Sequence, residues 1–261
     1  MEILGYIASI CIGLILGLLG GGGSILSIPI LVYLFHVGAV EAAAYSLFIV
    51  GTTSLFGAIP KYREQLVSMR TAALFGIPSV VGTFLTRKFV VHRIPEILFQ
   101  SEHVEITRRS LLLGLFAVLM ILASITMIRG RKAEPDDDRV RTGWLILQGL
   151  SIGTLTGLVG AGGGFLIIPT LVFLTGLRFK VAVGTSLFII AANSYSGFIG
   201  DLFNMRMDWD LLLPITALAI VGILVGGQLN KRFDGIALRK TFGWFTLLMG
   251  CFILIRETGI W

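Results

Sequence analysis

GLLGGGGSILSI (Gly17–Ile28) and GLVGAGGGFLII (Gly157–Ile168) are two glycine-rich segments that lie inside long apolar runs. The second copy follows the first by 140 residues, and 18 of the 41 residues from Gly17 to Gly57 are identical to their counterparts without a gap. A duplication that interrupts a hydrophobic stretch in both copies is typical of membrane transporters, which build their binding sites at broken helices. The sequence therefore predicts a duplicated membrane unit whose first element is broken within the bilayer.

The composition indicates that this chain lies in a membrane. The mean hydropathy is +0.91, and 55% of the residues are hydrophobic but only 14% are charged, about half the charged share of a soluble domain. The net charge of +6 is spread over many loops, so it indicates membrane topology and excludes nucleic acid as a partner. Met1-Glu2-Ile3 provides no positive n-region, and we expect the first apolar run to be retained. Cys11 and Cys251 lie far apart in apolar segments and predict neither a disulfide nor redox chemistry.

The first apolar run of each half is too long for a single upright helix. The runs at 3–40 and 142–177 contain 38 and 36 residues, which would make helices of about 55 Å, against a hydrocarbon core of about 30 Å. One long tilted helix and a re-entrant hairpin of two half-helices are the two interpretations. With single crossings, Lys and Arg divide 11 to 10 between the two sides, whereas with hairpins they divide 14 to 7. The positive-inside rule favours the hairpins.

The predicted fold is an all-α integral membrane protein with two inverted repeats. Each repeat is a re-entrant, broken helical hairpin followed by three transmembrane helices. The first repeat covers residues 1–128, a charged cytoplasmic linker covers 129–141, and the second repeat covers 142–261. Both termini are then expected in the periplasm of a bacterial inner (plasma) membrane. The segment IPEILF (Ile94–Phe99) is expected to form a short interfacial helix.

The candidate binding site combines the glycine clusters with polar positions of the helices that follow them. Non-helical backbone at membrane depth is tolerated where it lines a cavity, and the helix that starts there presents N–H groups and a positive dipole end to an anion. The predicted substrate-binding residues are Gly20, Gly21, Gly22, Gly23, Ser24, Ser46, Thr53, Gly162, Gly163, Gly164, Ser186 and Asn193. The alternative is that the glycines only allow close helix crossing and that the hydroxyls only join helices.

No Asp, Glu, Lys or Arg lies in the middle of a predicted span. Glu41, Lys61, Arg87 and Asp201 fall at span ends, so no carboxylate or histidine relay is visible within the spans. Coupling through end residues such as Glu41 or Asp201 and transport down the gradient of the anion both stay open. Asn193–Gly197 (NSYSG) departs from a GxSG protease motif, and the three histidines lie in or beside loops. We therefore expect neither an enzyme nor a cofactor or metal site. A passive anion channel is the alternative to a carrier.

Several short motifs carry a family resemblance. PILV and PTLV follow the two glycine clusters, SLFI occurs in both halves, and GTFLTRKF (Gly82–Phe89) is matched by GGQLNKRF (Gly226–Phe233). With these motifs the chain resembles the sulfite exporter TauE/SafE family. The resemblance implies export of a small sulfur-containing anion, sulfite or an organosulfonate such as sulfoacetate. Thiosulfate or sulfate is the alternative substrate, and a homodimer is left open as the assembly.

Overall fold

The computed structural model describes residues 2–95, 97–101, 104–129, 142–160, 162–205 and 207–257. Helices dominate this part of the chain. They are α1 (Glu2–Leu19), α2 (Gly22–Tyr33), α3 (Ala39–Arg63), α4 (Met69–Leu85), α5 (Arg108–Arg129), α6 (Thr142–Val159), α7 (Gly164–Leu174), α8 (Phe179–Leu202), α9 (Trp209–Arg232) and α10 (Gly235–Glu257). A π-helical turn (Thr86–Val90) and a 3-10 turn (Val91–Arg93) extend α4, and two short strands, β1 (Ile97–Ser101) and β2 (Val104–Thr107), precede α5.

Seven helices within the described ranges are long and apolar enough to cross a membrane, namely α3, α4 with its π-helical extension, α5, α6, α8, α9 and α10. The apolar parts of α1 and α7 are shorter, at Gly5–Leu19 and Gly164–Phe173. Large apolar side chains such as Ile77 and Leu248 are exposed on the outer faces, as expected for a bundle surrounded by lipid. The prediction of a helical integral membrane protein is confirmed.

The first long apolar run is broken and folds back on itself. Gly23, near the start of α2, packs against the backbone of Ile12 and the side chain of Leu16 in α1. At the other end of the pair, Gly5 near the start of α1 lies against the ring of Phe35, just after α2. The two helices therefore run in opposite directions, as a re-entrant hairpin requires.

The first helix of each half packs along the next-to-last helix of the other half. Gly149 and Gly153 of α6 lie against Phe75 and Ser79 of α4, so these two helices run in the same direction. In the same way Gly13 of α1 lies against Ala219 of α9, and Gly17 lies against Ile223. Glycine at each contact lets the two backbones approach closely. The two halves are thus in contact along two pairs of parallel helices, α1 with α9 and α4 with α6.

The long helices α3 and α8 cross at the centre of the bundle. Gly51 of α3 lies beside Ser194 of α8, and Gly57 lies beside Leu187. The residue numbers rise along one helix as they fall along the other, so the pair is antiparallel. These are equivalent helices of the two sequence repeats, and their antiparallel contact brings the polar positions of both halves together.

The connection before α5 differs from its prediction. Ile97–Ser101 pairs with Val104–Thr107 in an antiparallel hairpin, so the expected interfacial helix at IPEILF is wrong from Ile97 onward. A short apolar run gives no periodicity that separates a strand from a helix, and the β-branched partner strand supplies the backbone hydrogen bonds. Residues 130–141, most of the predicted cytoplasmic linker, lie outside the described part of the chain.

Candidate functional site

The two glycine turns meet inside the bundle. A methyl group on Gly21 would approach the carbonyl oxygen of Gly164 to 2.5 Å, and one on Gly164 would approach the Cα atom of Gly21 to 2.6 Å. Gly20 (φ +77°) and Gly163 (φ +77°) adopt the left-handed backbone conformation, which other residues rarely adopt. Glycine is required here both for the turn and for the direct backbone contact.

A half-helix begins at each of these turns. Gly21 precedes α2 and Gly163 precedes α7, and neither helix has a side-chain cap. The first N–H groups of a helix have no acceptor within it, and the helix dipole places a partial positive charge there. Because Gly21 and Gly164 are in contact, the positive ends of two half-helices converge. This convergence would attract a negatively charged group.

A polar side chain without a partner lies at the second turn. The Ser194 hydroxyl is completely buried, has no hydrogen-bond partner among the described residues and lies 2.5 Å from where a methyl group on Gly162 would be. Ser54, the residue 140 positions earlier, is also fully buried, and its hydroxyl likewise has no partner in the described part of the chain. Buried polar groups are nearly always hydrogen-bonded, so this matched pair of hydroxyls is suited to bind a ligand.

Asn193 adds a third polar group next to Ser194. Its side-chain Nδ2 donates to the Ser79 hydroxyl on α4 at 2.7 Å, which fixes the orientation of the amide. Its Oδ1 is buried without a partner among the residues that the structure describes. An amide oxygen repels an anion but can accept a hydrogen bond from a protonated ligand or a water molecule.

The other predicted site residues are more fully satisfied. The hydroxyls of Ser46 and Ser27 are 2.5 Å apart, that of Thr53 donates to the Ile49 carbonyl at 2.5 Å, and that of Ser186 donates to the Val183 carbonyl at 2.8 Å. Across the two turns Gly21 contacts Gly164, whereas Gly20 lies beside Val183, Gly23 beside Leu16, Gly162 beside Ser194 and Gly163 beside Thr156. Gly22 is the first residue of α2, and the Ser24 side chain lies outside the described part of the structure. Ser54 and Ser194 are therefore better placed for a ligand than Ser46 and Ser186, although the sequence alignment of the repeats contains all four.

Sequence reasoning missed a buried ion pair close to the second turn. Arg87 and Asp201 are both 0% exposed, and Arg87 Nε donates to Asp201 Oδ2 at 2.8 Å. The Arg87 Nη2 atom contacts the same carboxylate oxygen. Nη1 lies 3.2 Å from where a methyl group on Gly160 would be. Both residues are at helix ends, as expected, but neighbouring helices remove them from solvent. Only their complementary charge on facing helices was a signal in the sequence.

A second buried network lies near the first turn. Lys61, at the position 140 residues before Asp201, is only 4% exposed and donates to Asn230 Oδ1 at 2.7 Å. Asn230 Nδ2 donates in turn to the carbonyl of Leu18 at 2.6 Å, close to the end of α1. Glu64 lies 3.7 Å from Lys61 and 2.7 Å from Lys231. Each glycine turn thus has a buried charged group beside it.

Seven candidate spans, a broken re-entrant pair and a polar centre built from both halves define a multi-pass membrane transporter. The family model for "Sulfite exporter TauE/SafE" matches residues 6–253, and the chain belongs to this family. The chain is 30% identical to a "Probable membrane transporter protein" of Xylella fastidiosa (strain Temecula1), with 94% of this chain and 92% of the relative covered.

Other relatives agree with this assignment. The "Probable membrane transporter protein YdhB" of Bacillus subtilis is 27% identical over 93% of this chain and 96% of its own length. "Sulfite exporter TauE/SafE family protein 5" of Arabidopsis thaliana is 31% identical over 28% of this chain and 16% of its own. No solved structure matches the chain. These relatives are transporters and not enzymes, as expected from the sequence, and within the described residues no group of three or more potential metal ligands occurs.

Proposed function

We propose that this transporter carries sulfite or a small organosulfonate such as sulfoacetate, bound beside the contact of the two glycine turns. The observation that carries the proposal is the convergence of the α2 and α7 N-termini beside the Ser194 hydroxyl, which has no hydrogen-bond partner among the described residues. A sulfite or sulfonate group offers three oxygens, which several N–H and O–H donors arranged around a turn can bind together. Gly22, Gly23 and Ser24 would contribute donors from the first half, and Gly164 from the second.

The proposed mechanism is that of a carrier. The backbones of Gly21 and Gly164 are in direct contact at the centre, and Lys61 and Arg87 form buried hydrogen bonds near the two turns. This packing supports a site that opens to one side at a time, since an open pore would need a continuous gap. Rearrangement of one half against the other is how transporters with repeated units expose a central site alternately.

The proposed orientation places the 129–141 linker in the cytoplasm and both termini in the periplasm of a bacterial inner membrane. The 14 to 7 division of Lys and Arg supports this orientation. The antiparallel contact of α3 with α8 supports the inversion of the repeats, because equivalent helices of inverted repeats must run in opposite directions. Movement of the anion from the face of the 129–141 linker to the face of the termini would then export it from the cytoplasm.

Purified protein in proteoliposomes tests the function directly. A sulfite or sulfoacetate carrier should show saturable flux and should accelerate uptake of labelled anion when the same unlabelled anion is loaded on the opposite side. Flux that stays linear with concentration and shows no counterflow would contradict the carrier. Sulfate and thiosulfate in the same assay identify the preferred anion.

A further inference from the structure

A separate cavity of about 620 Å³ lies between the start of α8 and the start of α10. Its volume is in the range of small-molecule binding sites. Leu66, which precedes α4, also lines this cavity. Because α4 and α6 run side by side in the same direction, the cavity opens on the face of the bundle where α6 begins, which is the linker side. None of the predicted site residues lines it.

The cavity carries more positive than negative charge. Arg178, Lys180 and Arg239 line it together with one carboxylate, that of Asp234. Among the described residues, none of these four side chains forms a salt bridge. The Nε atom of Arg239 is buried and has no hydrogen-bond acceptor among the described residues. A buried arginine donor gains most from an anionic acceptor, because a charge-assisted hydrogen bond is about twice as strong as a neutral one.

The remaining wall is apolar. Phe179 is buried at the start of α8, and Ile236 faces the cavity from α10. An inorganic oxyanion would use the cationic groups but would gain nothing from these side chains. A sulfonate or carboxylate with a short alkyl part would use both. The lining therefore selects small organic anions.

A chain of contacts joins this cavity to the first glycine turn. The Leu66 amide donates to the Lys61 carbonyl at 3.0 Å, and the Lys61 ammonium binds Asn230, which binds the Leu18 carbonyl. Gly20 begins the turn two residues later. These hydrogen bonds connect the lining of the cavity, through the buried Lys61, to the end of α1 that precedes the first glycine turn.

We propose that the cavity is a loading site that binds small organic sulfonates or carboxylates on the linker side before they move to the central site. This inference rests on the proposed function for its role in transport, but anion binding in the cavity is a separate property. An anionic lipid headgroup presents the same oxyanion chemistry, so the test must distinguish the two sources.

Binding of an alkylsulfonate series to the purified protein tests the loading site. In nanodiscs of zwitterionic lipid, affinity should rise from methanesulfonate to butanesulfonate by up to about fourfold for each methylene that becomes buried. Arg239→Gln and Lys180→Gln should each weaken butanesulfonate binding about tenfold or more. Lys240→Gln, on the same helix but outside the lining, is the matched control and should change nothing. Asp234→Asn should strengthen binding, because it removes a negative side chain from the lining.

The outcomes separate this proposal from the central site. Ser194→Ala should leave butanesulfonate binding to the cavity intact while it weakens sulfite binding. If the cationic variants bind butanesulfonate like the wild type while Ser194→Ala still impairs sulfite binding, the loading site is wrong and the proposed function stands. Lys180 is partly solvent-exposed, so its variant folds even if Arg239→Gln does not.

Nanodiscs that contain phosphatidylglycerol distinguish the lipid. Unchanged butanesulfonate affinity in these discs, with the loss in Lys180→Gln retained, supports a water-soluble occupant. If phosphatidylglycerol abolishes sulfonate binding, and native mass spectrometry finds the lipid on the wild type but not on Lys180→Gln, the cavity is a lipid site and the loading proposal is overturned.

Discussion

Replacement of Ser194 by alanine should separate ligand binding from folding. Its hydroxyl is completely buried and has no hydrogen-bond partner in the described ranges, and a buried polar group without a partner costs about 1–3 kcal/mol. Ser194→Ala removes that group and leaves all backbone contacts in place. The ligand-free variant should therefore be as stable as the wild type or more stable.

The affinity for the anion, in contrast, should fall in the Ser194→Ala variant. A hydrogen bond from Ser194 to a sulfite or sulfonate oxygen is charge-assisted and contributes about 1.5–3 kcal/mol, so the variant should bind roughly ten- to a hundredfold more weakly. Ser124→Ala is the matched control, because Ser124 is also fully buried but its hydroxyl donates to the Ile121 carbonyl at 2.7 Å. Isothermal titration gives the affinities, and thermal unfolding in detergent gives the stabilities. Weaker folding of Ser194→Ala with unchanged anion affinity would refute the assignment of this hydroxyl to the ligand.

Three further predictions concern the ion pair, the ligand and the topology. Arg87→Gln should destabilise the protein by about 3–5 kcal/mol, because it leaves Asp201 buried with a neutral partner; the double variant with Asp201→Asn should be more stable than Arg87→Gln in thermal unfolding, and additive losses would contradict the pairing. Sulfoacetate should bind more tightly than taurine, because the taurine ammonium would approach two positive helix ends; equal affinities in titration would move the site away from α2 and α7. Cysteines at both termini should react with a membrane-impermeant reagent from the periplasm, and cysteines in the 129–141 linker should react only from the cytoplasm; labelling of the linker and a terminus from one face would contradict the inverted repeats.

The general form of the fold could be predicted because few structures satisfy an apolar chain in lipid. The lengths of the hydrophobic runs and the glycine clusters indicated a helical bundle with broken elements, and the re-entrant α1–α2 pair agrees with this. The β-hairpin at 97–107 could not be predicted, because its short apolar strand carries no distinct period.

The candidate site was only partly predictable for a different reason. The repeat identified the glycines and the neighbouring hydroxyls as a set, but the direction of each side chain depends on how α3 crosses α8. The Ser46 hydroxyl contacts Ser27 of α2 and the Ser186 hydroxyl bonds within its own helix, whereas Ser54 and Ser194 have no side-chain partner in the part of the chain that the structure describes. The burial of Arg87 and Asp201 likewise depends on packing between helices that are more than a hundred residues apart in sequence.

Location of the bound anion would test the central claim most directly. Bromomethanesulfonate has the sulfonate group of the proposed ligands, and its bromine gives an anomalous X-ray signal. Crystals of the protein with this compound should show an anomalous peak next to the Gly21–Gly164 contact, with sulfonate oxygens within hydrogen-bond distance of the Ser194 hydroxyl. Anomalous density confined to other parts of the protein, with the glycine turns still in direct contact and Ser194 unpartnered, would contradict the account.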